Sequence, residues 1–373
     1  MAANDKPAVA GFSPLRVELG PRSYDVKFYD GDVAALARDV AAFCPERAFV
    51  VTNPTIRALH GAAFLDALAS AGVEAVVAEM EDGERYKTLA TVSSLLDRLI
   101  EGRFTRRTCV VAFGGGVVGD VAGFVAAIFL RGVDYVQVPT TVVAMVDSSV
   151  GGKTGVDHPL GKNLIGAFYQ PRLVAVNLAY LRTLDEHNLR GGFAEVIKYG
   201  VIRDPALFEF LESNLESALA LDAAALWRVV RDSCAIKAQV VAADEREGGL
   251  RAILNYGHTF AHAIESVGAY RERQFHGQAV AIGMIAAAEV ARRMGMFHEN
   301  DVARQRRLIE RAGLPTVMPA GITPDDAIEH MKSDKKVVAG RQRFVLPTRI
   351  GEVVVRDDVP MSLVREVLSS LCP

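Results

Sequence analysis

The chain has 373 residues, 50% of them hydrophobic and 23% charged, a composition typical of a globular protein long enough for two domains. Its formal net charge of -3 argues against a nucleic-acid-binding surface, and residues 279–288, a long apolar run, are too few to span a bilayer. The first residues lack a signal-peptide pattern and the four cysteines are scattered, so we expect a cytoplasmic protein with no membrane segment and no disulfide framework.

Strand-like and helical patterns alternate in the first half of the chain. Residues 47–53, 73–80 and 108–113 combine apolar and β-branched side chains, and they predict three strands. Residues 56–71 and 91–100 have the helical period, and a glycine follows closely after each of these segments. Strands that alternate with helices favour a parallel sheet that is covered on both faces.

The helical period dominates from Glu186 onward, for example over residues 207–221 and 253–267. We therefore predict an α/β N-terminal domain over residues 1–185, with a Rossmann-like parallel sheet and helices on both faces. A mostly α-helical C-terminal domain is predicted over residues 186–373. We expect the active site in the cleft between them, because pockets commonly form at domain boundaries.

A glycine-rich turn follows the third predicted strand. Residues 114–120 have the sequence GGGVVGD, which matches G-x-G-x-x-G between a strand and a helix. In that context, backbone N–H groups and the helix N-terminus can bind a pyrophosphate. A standard dinucleotide-binding unit carries this motif after its first strand, so a plain strand-to-helix turn is the alternative explanation.

Histidines and a carboxylate indicate a metal site in the second half. His258 and His262 are four residues apart, which places both on one helix face. His276 follows, and Glu195 lies in an apolar helical pattern, where a glutamate is rarely buried without a partner. One carboxylate with two histidines and an open position is the usual catalytic zinc arrangement. Spacing favours His258 with His262 as the pair, and core histidines are the alternative.

Residues 139–171 predict an anion site. They carry Asp147, Lys153, Lys162 and Asn163 in a glycine-rich and mostly apolar sequence. Lysines are rarely buried unless something pairs with them, and neighbouring glycines allow the backbone and the cationic groups to approach one anionic ligand closely.

Taken together, the GGGVVGD, AEVIK, GHTFAH and FHGQA segments and residues 139–171 resemble the 3-dehydroquinate synthase family of sugar-phosphate cyclases, over roughly residues 45 to 350. The resemblance implies a phosphate-eliminating lyase of the shikimate pathway that uses NAD and one divalent metal, zinc or cobalt. Its substrate would be 3-deoxy-D-arabino-heptulosonate 7-phosphate and its products 3-dehydroquinate and phosphate. NAD would oxidise the C5 hydroxyl and later return the hydride, and an aldol step would close the ring.

The resemblance also implies a role for individual residues. The metal ligands would be Glu195, His258 and His276. NAD would be bordered by Asn53, Glu84, Lys87, Gly115, Gly116, Val117, Asp120, Thr140, Thr141, Lys162, Leu181 and Thr183. The substrate would be bound by Arg131, Asp147, Lys153, Asn163, Lys237, Arg251, Asn255, His262 and Lys336, with Lys335 as an alternative to Lys336. The catalytic residues would be Asp147, Lys153, Glu247, Arg251, Asn255 and His262.

Two further points follow from the resemblance. The first domain would bind NAD, the second would bind the metal and the substrate, and Arg131 would reach the phosphate site of the other subunit in a homodimer. Gly191 departs from the family pattern, which commonly has Ser or Asn four residues before the metal-binding glutamate. A side-chain contact to NAD expected there must therefore be missing or replaced.

Three other functions remain open. A sister cyclase of the 2-deoxy-scyllo-inosose or 2-epi-5-epi-valiolone synthase type would act on sugar phosphates that lack the carboxylate, whereas Lys237 and Arg251 indicate a carboxylate. A metal-dependent polyol dehydrogenase would not need so many cations. A non-catalytic binding protein would not need a complete set of metal ligands.

Overall fold

The computed structural model describes residues 12–267, 276–332, 337–338 and 341–373. The chain divides into two compact units. Unit 1 comprises Met1–Thr140, Ser148–Thr183 and Leu221–Cys234, and unit 2 comprises Thr141–Asp147, Leu184–Ala220 and Ala235–Pro373. The single boundary expected near residue 185 stays a prediction, as does the role expected of each domain.

Unit 1 is built on a seven-stranded sheet with the order β1-β2-β9-β6-β5-β3-β4. Two further strands, β7 and β8, form a separate two-stranded ribbon. The strands of the sheet and the ribbon are β1 Leu15–Val17, β2 Tyr24–Tyr29, β3 Arg47–Thr52, β4 Glu74–Glu79, β5 Cys109–Gly114, β6 Asp134–Pro139, β7 Lys153–His158, β8 Gly161–Phe168 and β9 Leu173–Asn177. The edge strand β1 is antiparallel to β2, and the other neighbours in the sheet are parallel. Every residue of β5 is buried, as expected for a central parallel strand covered on both faces.

The helices of unit 1 follow the alternation predicted from the sequence. They are α1 Val33–Ala41, α2 Pro54–Ile56, α3 Ala62–Ser70, α4 Leu89–Glu101 and α5 Gly116–Ile128. The helix expected over residues 56–71 begins earlier, at Pro54, and contains a π-helical turn, Arg57–Gly61, between α2 and α3. Asn53 begins it, because its side-chain oxygen accepts a hydrogen bond from the Ile56 N–H at 2.8 Å.

Helices dominate the second half of the chain, which confirms the predicted fold class. They are α6 Glu186–Ile202, α7 Pro205–Leu219, α8 Ala223–Ala243, α9 His258–Ser266, α10 His276–Arg293, α11 Glu299–Arg311, α12 Pro324–Lys332 and α13 Met361–Ser370. Four short strands accompany them: β10 Val337–Val338, β11 Arg341–Gln342, β12 Phe344–Arg349 and β13 Glu352–Arg356. Within the described ranges, each helix is too short or too polar to cross a membrane.

One predicted helix is interrupted. The pattern over residues 253–267 predicts a continuous helix, but a 3-10 turn, Leu250–Asn255, precedes α9. Gly257 separates them with a φ of +78°, and a Cβ there would lie 2.9 Å from the Met284 main-chain nitrogen of α10. Only glycine combines this φ with so close an approach of two backbones. As a result, α9 begins at His258.

Glycines also bring α6 and α10 together. A Cβ on Gly277 would overlap the main-chain oxygen of Gly191, whereas a Cβ on Gly191 would lie 3.9 Å from the Gly277 Cα, which is an ordinary contact. Gly277 follows His276, and Gly191 lies one helical turn before Glu195 on the same helix face. The contact between these helices therefore helps to place Glu195 and His276.

The asymmetry of this contact predicts opposite effects for two alanine substitutions. Gly277→Ala should lower the free energy of unfolding by about 1–3 kcal/mol, because the added methyl group forces the helices apart. Gly191→Ala should be neutral or stabilise by up to about 1 kcal/mol, because alanine fits there and favours the helix. Urea unfolding of both variants measures the difference, and equal losses would show that the helices tolerate a shift at this contact.

Candidate functional site

Glu195, His258 and His276 form a candidate metal centre in unit 2. Their side chains come from α6, α9 and α10, and the ligand atoms they offer all lie within 4.8 Å of one another. The Nε2 atoms of His258 and His276 are each 3.4 Å from Glu195 Oε1. His262 is not a member of this group, although its ring centroid lies 5.7 Å from that of His258. The geometry thus favours the ligand set implied by the family resemblance over the pair implied by helical spacing.

Both histidines of the centre are held by their other ring nitrogen. His258 Nδ1 lies 3.1 Å from the main-chain oxygen of Tyr256, and His276 Nδ1 lies 3.3 Å from Glu265 Oε1. Each oxygen accepts a hydrogen bond when Nδ1 carries the proton. This arrangement leaves Nε2 directed toward Glu195, as in metal sites whose histidines are oriented by a second hydrogen bond.

Charge compensation keeps the Glu195 carboxylate ionised. Burial raises its pKa, but the ammonium group of Lys198 and the His258 ring lower it, and the net pKa lies well below the usual range. Burial lowers the pKa of His258 to about 4 against the opposing influence of Glu195, so its imidazole is neutral at pH 7. Burial also lowers the pKa of His276, but Glu195 and Glu265 outweigh it and raise the pKa to about 10. His276 is therefore protonated at pH 7 and must release its Nε2 proton when a metal binds. An ionised carboxylate with one neutral histidine and a second that can be deprotonated fits a divalent cation such as zinc.

Lys198 is a site residue to which sequence reasoning gave no role. Its side chain is 1% exposed and its Nζ forms an ion pair with Glu195 Oε2, whose side chain is 0% exposed. Lys198 and Glu195 are three residues apart on α6. A lysine at that spacing from a glutamate in an apolar helix is the sequence pattern from which their ion pair could have been predicted. The pair therefore places a positive charge next to the candidate metal centre.

Asp147 lies beside the same group in unit 2. It belongs to a π-helical turn, Ala144–Ser148, a type of distortion frequent at functional sites. Its Oδ1 accepts a hydrogen bond from Tyr199 Oη at 2.8 Å and forms an ion pair with Lys237 Nζ. Burial raises the pKa of Asp147, but Lys237 and Lys198 outweigh that effect and lower it. Burial also lowers the pKa of Lys237, and the nearby charge of Arg251 acts in the same direction.

Two more predicted substrate residues of unit 2, Arg251 and Asn255, lie on the segment before α9. The Arg251 side chain is buried, and its Nη1 donates to the Glu245 main-chain oxygen at 2.5 Å. Asn255 Nδ2 donates to Glu247 Oε1 at 3.1 Å. Glu247 is exposed and has a φ of +62°, a strained value for a non-glycine residue. A cation, an amide and a carboxylate are therefore gathered just before the metal-centre histidines in the chain.

The glycine-rich turn of unit 1 joins β5 to α5. Gly115 is the N-cap of α5, and no side chain among the described residues caps this helix end. Glycine is needed around it, because a Cβ on Gly114 would lie 2.7 Å from Val118 and one on Gly116 would lie 3.0 Å from Ser148 Oγ. Free backbone N–H groups at a bare helix N-terminus fit an anionic group such as a pyrophosphate.

Two buried hydroxyl groups flank this turn. Thr140, directly after β6, is 2% exposed, and Thr52, the last residue of β3, is equally buried. Neither Oγ1 atom has a hydrogen-bond partner within the described part of the chain. Buried hydroxyls normally find a partner, so two unsatisfied ones at the carboxyl ends of strands next to β5 fit a polar ligand there. Sequence reasoning singled out Thr140 but not Thr52.

Lys87 connects the turn to β8. Its buried ammonium group lies 2.6 Å from Asp120 Oδ2 on α5 and also donates to Asn163 Oδ1. Burial lowers the pKa of Lys87, but Asp120 and Glu84 outweigh this and raise it, so the lysine stays charged. Unit 1 thus brings together one predicted substrate residue, Asn163, and two predicted NAD residues, Lys87 and Asp120.

The remaining predicted residues lie at the following places. Glu84, Arg131, Lys153, Lys162 and Thr183 are exposed in unit 1, Val117 and Leu181 lie in the same unit, and Thr141 lies in unit 2. Thr183 Oγ1 lies 2.7 Å from His60 Nε2. Lys335 and Lys336 lie outside the described residues. The roles predicted for all these residues stay predictions.

Solved structures first define the class of fold. A 2-deoxy-scyllo-inosose synthase complexed with carbaglucose-6-phosphate, NAD+ and Co2+ matches with a TM-score of 0.87 and 27% identity, covering 96% of this chain and 100% of that chain. The 2-epi-5-epi-valiolone synthase from Streptomyces hygroscopicus subsp. jinggangensis, with NAD+ and Zn2+ bound, matches with a TM-score of 0.84 and 28% identity, covering 98% of this chain and 99% of that chain. The fold is that of the sugar-phosphate cyclases.

Sequence comparisons then define the family. The 3-dehydroquinate synthase N-terminal model matches residues 77–191, and the 3-dehydroquinate synthase C-terminal model matches residues 192–337. A 3-dehydroquinate synthase from Nostoc punctiforme is 47% identical over 362 residues, which cover 96% of this chain and 99% of the relative. The chain belongs to the 3-dehydroquinate synthase family, a family of enzymes, as the sequence motifs predicted.

The geometry of the metal centre predicts which histidine is essential for metal binding. Glu195→Ala, His258→Ala and His276→Ala should each reduce the bound metal to roughly a tenth of one equivalent or less, since a three-ligand site tolerates no further loss. His262→Ala should keep the metal and lose turnover. Elemental analysis of the four purified variants decides between the ligand sets: if His262→Ala loses the metal and His276→Ala keeps it, helical spacing identified the correct pair.

Proposed function

We propose that this protein converts 3-deoxy-D-arabino-heptulosonate 7-phosphate to 3-dehydroquinate and phosphate, with NAD and one divalent metal, zinc or cobalt, as cofactors. The observation that carries the proposal is similarity along nearly the whole chain: 47% identity to a 3-dehydroquinate synthase, against 27% and 28% to the two sister cyclases. The net reaction is a lyase reaction, because phosphate is eliminated and NAD is regenerated within each turnover. The predicted cytoplasmic location stays a prediction.

The two cofactors have separate places in this proposal. Glu195, His258 and His276 hold the metal, and the turn around Gly115 with the Thr140 hydroxyl holds the NAD pyrophosphate. When bound, NAD supplies the transient oxidation and re-reduction of the C5 hydroxyl, and the metal supplies a Lewis acid. The ionised Glu195 and the neutral His258 support this assignment, because both protonation states suit a cation.

Buried cations explain the preference for a substrate with a carboxylate. Lys237 and Arg251 are buried and close enough to influence each other electrostatically. Two like charges in one buried environment are unfavourable, and an anion bound beside them lowers that cost. We assign the substrate carboxylate to this pair, with the guanidinium plane of Arg251 suited to bidentate binding.

Proton movement falls to groups beside the metal centre. Asp147 is held ionised by Lys237 and oriented by the Tyr199 hydroxyl, so it can accept a hydrogen bond from a substrate hydroxyl. His262 lies one helical turn after His258, where its ring can exchange a proton with the phosphate end of the substrate. Lys153 and Asn163, with Asn255, are assigned to the phosphate, which needs several donors.

The same proposal includes a homodimer in which Arg131 serves the partner's site. Leu130 and Arg131 have φ values of +48° and +69°, a strained backbone that costs about 1–3 kcal/mol per residue and clusters at functional sites. Arg131 is exposed after the end of α5, and the apolar side chains of Ile128 and Leu130 beside it are exposed as well. An exposed arginine at this position is accessible to a second subunit.

With the proposed substrate and a trace of NAD, the enzyme should release phosphate over many turnovers without NADH accumulating. The reason is that the hydride taken from C5 is returned to the same molecule. A coupled phosphate assay and the absorbance of NADH measure both quantities together. NADH that rises in step with product would identify a polyol dehydrogenase instead.

The same assay with glucose 6-phosphate and sedoheptulose 7-phosphate tests the sister cyclases. These sugars lack the carboxylate assigned to Lys237 and Arg251, so phosphate release should be slower by at least about thirtyfold, given about 2–5 kcal/mol for an ion pair that loses one partner. Faster turnover of either sugar would assign the protein to the corresponding cyclase.

A mixture of two variants with low activity tests the shared site. The Arg131→Ala and Lys153→Ala enzymes should each turn over slowly alone, because each substitution removes a phosphate contact from both sites of a dimer. After subunit exchange, random pairing makes half the dimers hybrids, each with one complete site, so roughly a quarter of wild-type activity should return. An absence of recovery after exchange verified by mass spectrometry would mean that Arg131 serves its own subunit.

A further inference from the structure

Glu265 lies on the far side of His276 from the candidate metal position. His276 Nε2 is 3.4 Å from Glu195 Oε1, and His276 Nδ1 is 3.3 Å from Glu265 Oε1. The two ring nitrogens therefore have separate partners, and the Glu265 side chain, at 9% exposure, is nearly buried. We propose that Glu265 is a positioning residue, whose carboxylate orients His276 so that Nε2 faces the metal.

His276 needs such a partner more than His258 does. The His258 side chain is 11% exposed, and its Nδ1 is fixed by the main-chain oxygen of Tyr256. The His276 side chain is 41% exposed, so packing restricts its ring much less. A carboxylate on Nδ1 supplies the orientation that packing supplies to His258. The two ligands are thus held by different means, one by the backbone and one by a side chain that substitution can remove.

The position of Glu265 on α9 allows it to do this. His258, His262 and Glu265 are separated by four and three residues, so they lie along one face of the helix. His276 begins α10, and the Glu265 contact joins the carboxyl end of α9 to that first residue. One helix therefore contributes a metal ligand near its start and, two turns later, the carboxylate that orients a ligand from the next helix.

The chemistry of the contact favours metal binding. A carboxylate that accepts a hydrogen bond from Nδ1–H fixes the tautomer, orients the ring and makes Nε2 a stronger base. Loss of such a partner typically lowers metal affinity about 10- to 100-fold. The inference rests on the proposed metal site, and the alternative is that Glu265 only stabilises the packing of α9 against α10.

Metal affinity of the full-length protein separates the two roles. Zinc is withdrawn from the loaded enzyme by a chromogenic chelator of known affinity, and the visible spectrum of the cobalt-loaded enzyme reports the ligand geometry. Glu265→Leu removes the acceptor at similar volume, and we expect affinity to fall about 10- to 100-fold with an altered cobalt spectrum. Glu265→Gln keeps an acceptor oxygen, and its affinity should stay within about threefold of wild type.

Glu212→Leu is the matched control. Glu212 lies on α7 and forms a bidentate ion pair with Arg304 of α11, with Nε–Oε1 and Nη2–Oε2 distances of 2.9 and 2.7 Å. This variant should lower the melting temperature while zinc affinity and the cobalt spectrum stay at the wild-type values. It reproduces the loss of a contact between two helices without any effect on a metal ligand.

The outcomes distinguish the inference from the function on which it rests. If wild type binds no metal, the proposed metal site is wrong and the role of Glu265 is overturned with it. If wild type binds zinc and Glu265→Leu binds it equally well, only the role of Glu265 is overturned. Equal losses of zinc affinity in Glu265→Gln and Glu265→Leu would also contradict the role of Glu265. If the Leu variant does not fold, Glu265→Asp replaces it, because the shorter side chain withdraws the carboxylate oxygens by about 1.5 Å. That variant must then bind zinc at least about threefold more weakly than wild type.

Discussion

A buried carboxylate imposes the main constraint on the helical half of this protein. Glu195 is fully enclosed on α6, and an ionised carboxylate in such surroundings is tolerated only with partners that compensate its charge. Lys198 on the same helix provides a positive charge, and the rings of His258 and His276 lie against the carboxylate from two other helices. The residues that surround the carboxylate are also the ones predicted to bind a divalent metal.

The helices can converge on Glu195 because glycines let their backbones touch. Gly277 of α10 meets the main chain of α6 at Gly191, and Gly283 of α10 meets the main chain at Gly257. These contacts lie next to the predicted ligands in the sequence, one beside His276 and the other before His258. A Cβ on Gly277 or on Gly283 would overlap a main-chain oxygen and force apart the elements that carry the predicted ligands.

The α/β half gathers a helix N-terminus without a side-chain cap and two buried hydroxyl groups, an arrangement that suits an anion. The parallel strands β3, β5 and β6 all end at one edge of the sheet, where the Gly115 turn, Thr52 and Thr140 meet. Lys87 then pairs with Asp120 and contacts Asn163, so residues predicted for cofactor and substrate belong to one charged network.

The sequence by itself determined the fold class and much of the site chemistry. Alternating strand and helix periods predicted the parallel sheet, and glycine-rich and histidine motifs predicted an enzyme of the 3-dehydroquinate synthase family. These features are local, because periodicity and turn chemistry depend on neighbouring residues. Motif resemblance, and not spacing, singled out His276 as a predicted ligand, and the structure places it beside Glu195.

Only the tertiary structure decided which groups meet. Helical spacing treats His258 and His262 as equivalent partners, yet it is His276, from the next helix, whose ring lies against Glu195. The break at Gly257 and the Glu265 contact to His276 were likewise not evident in the sequence patterns. Each depends on how closely α6, α9 and α10 approach one another, and that distance is set by packing between residues far apart in the chain.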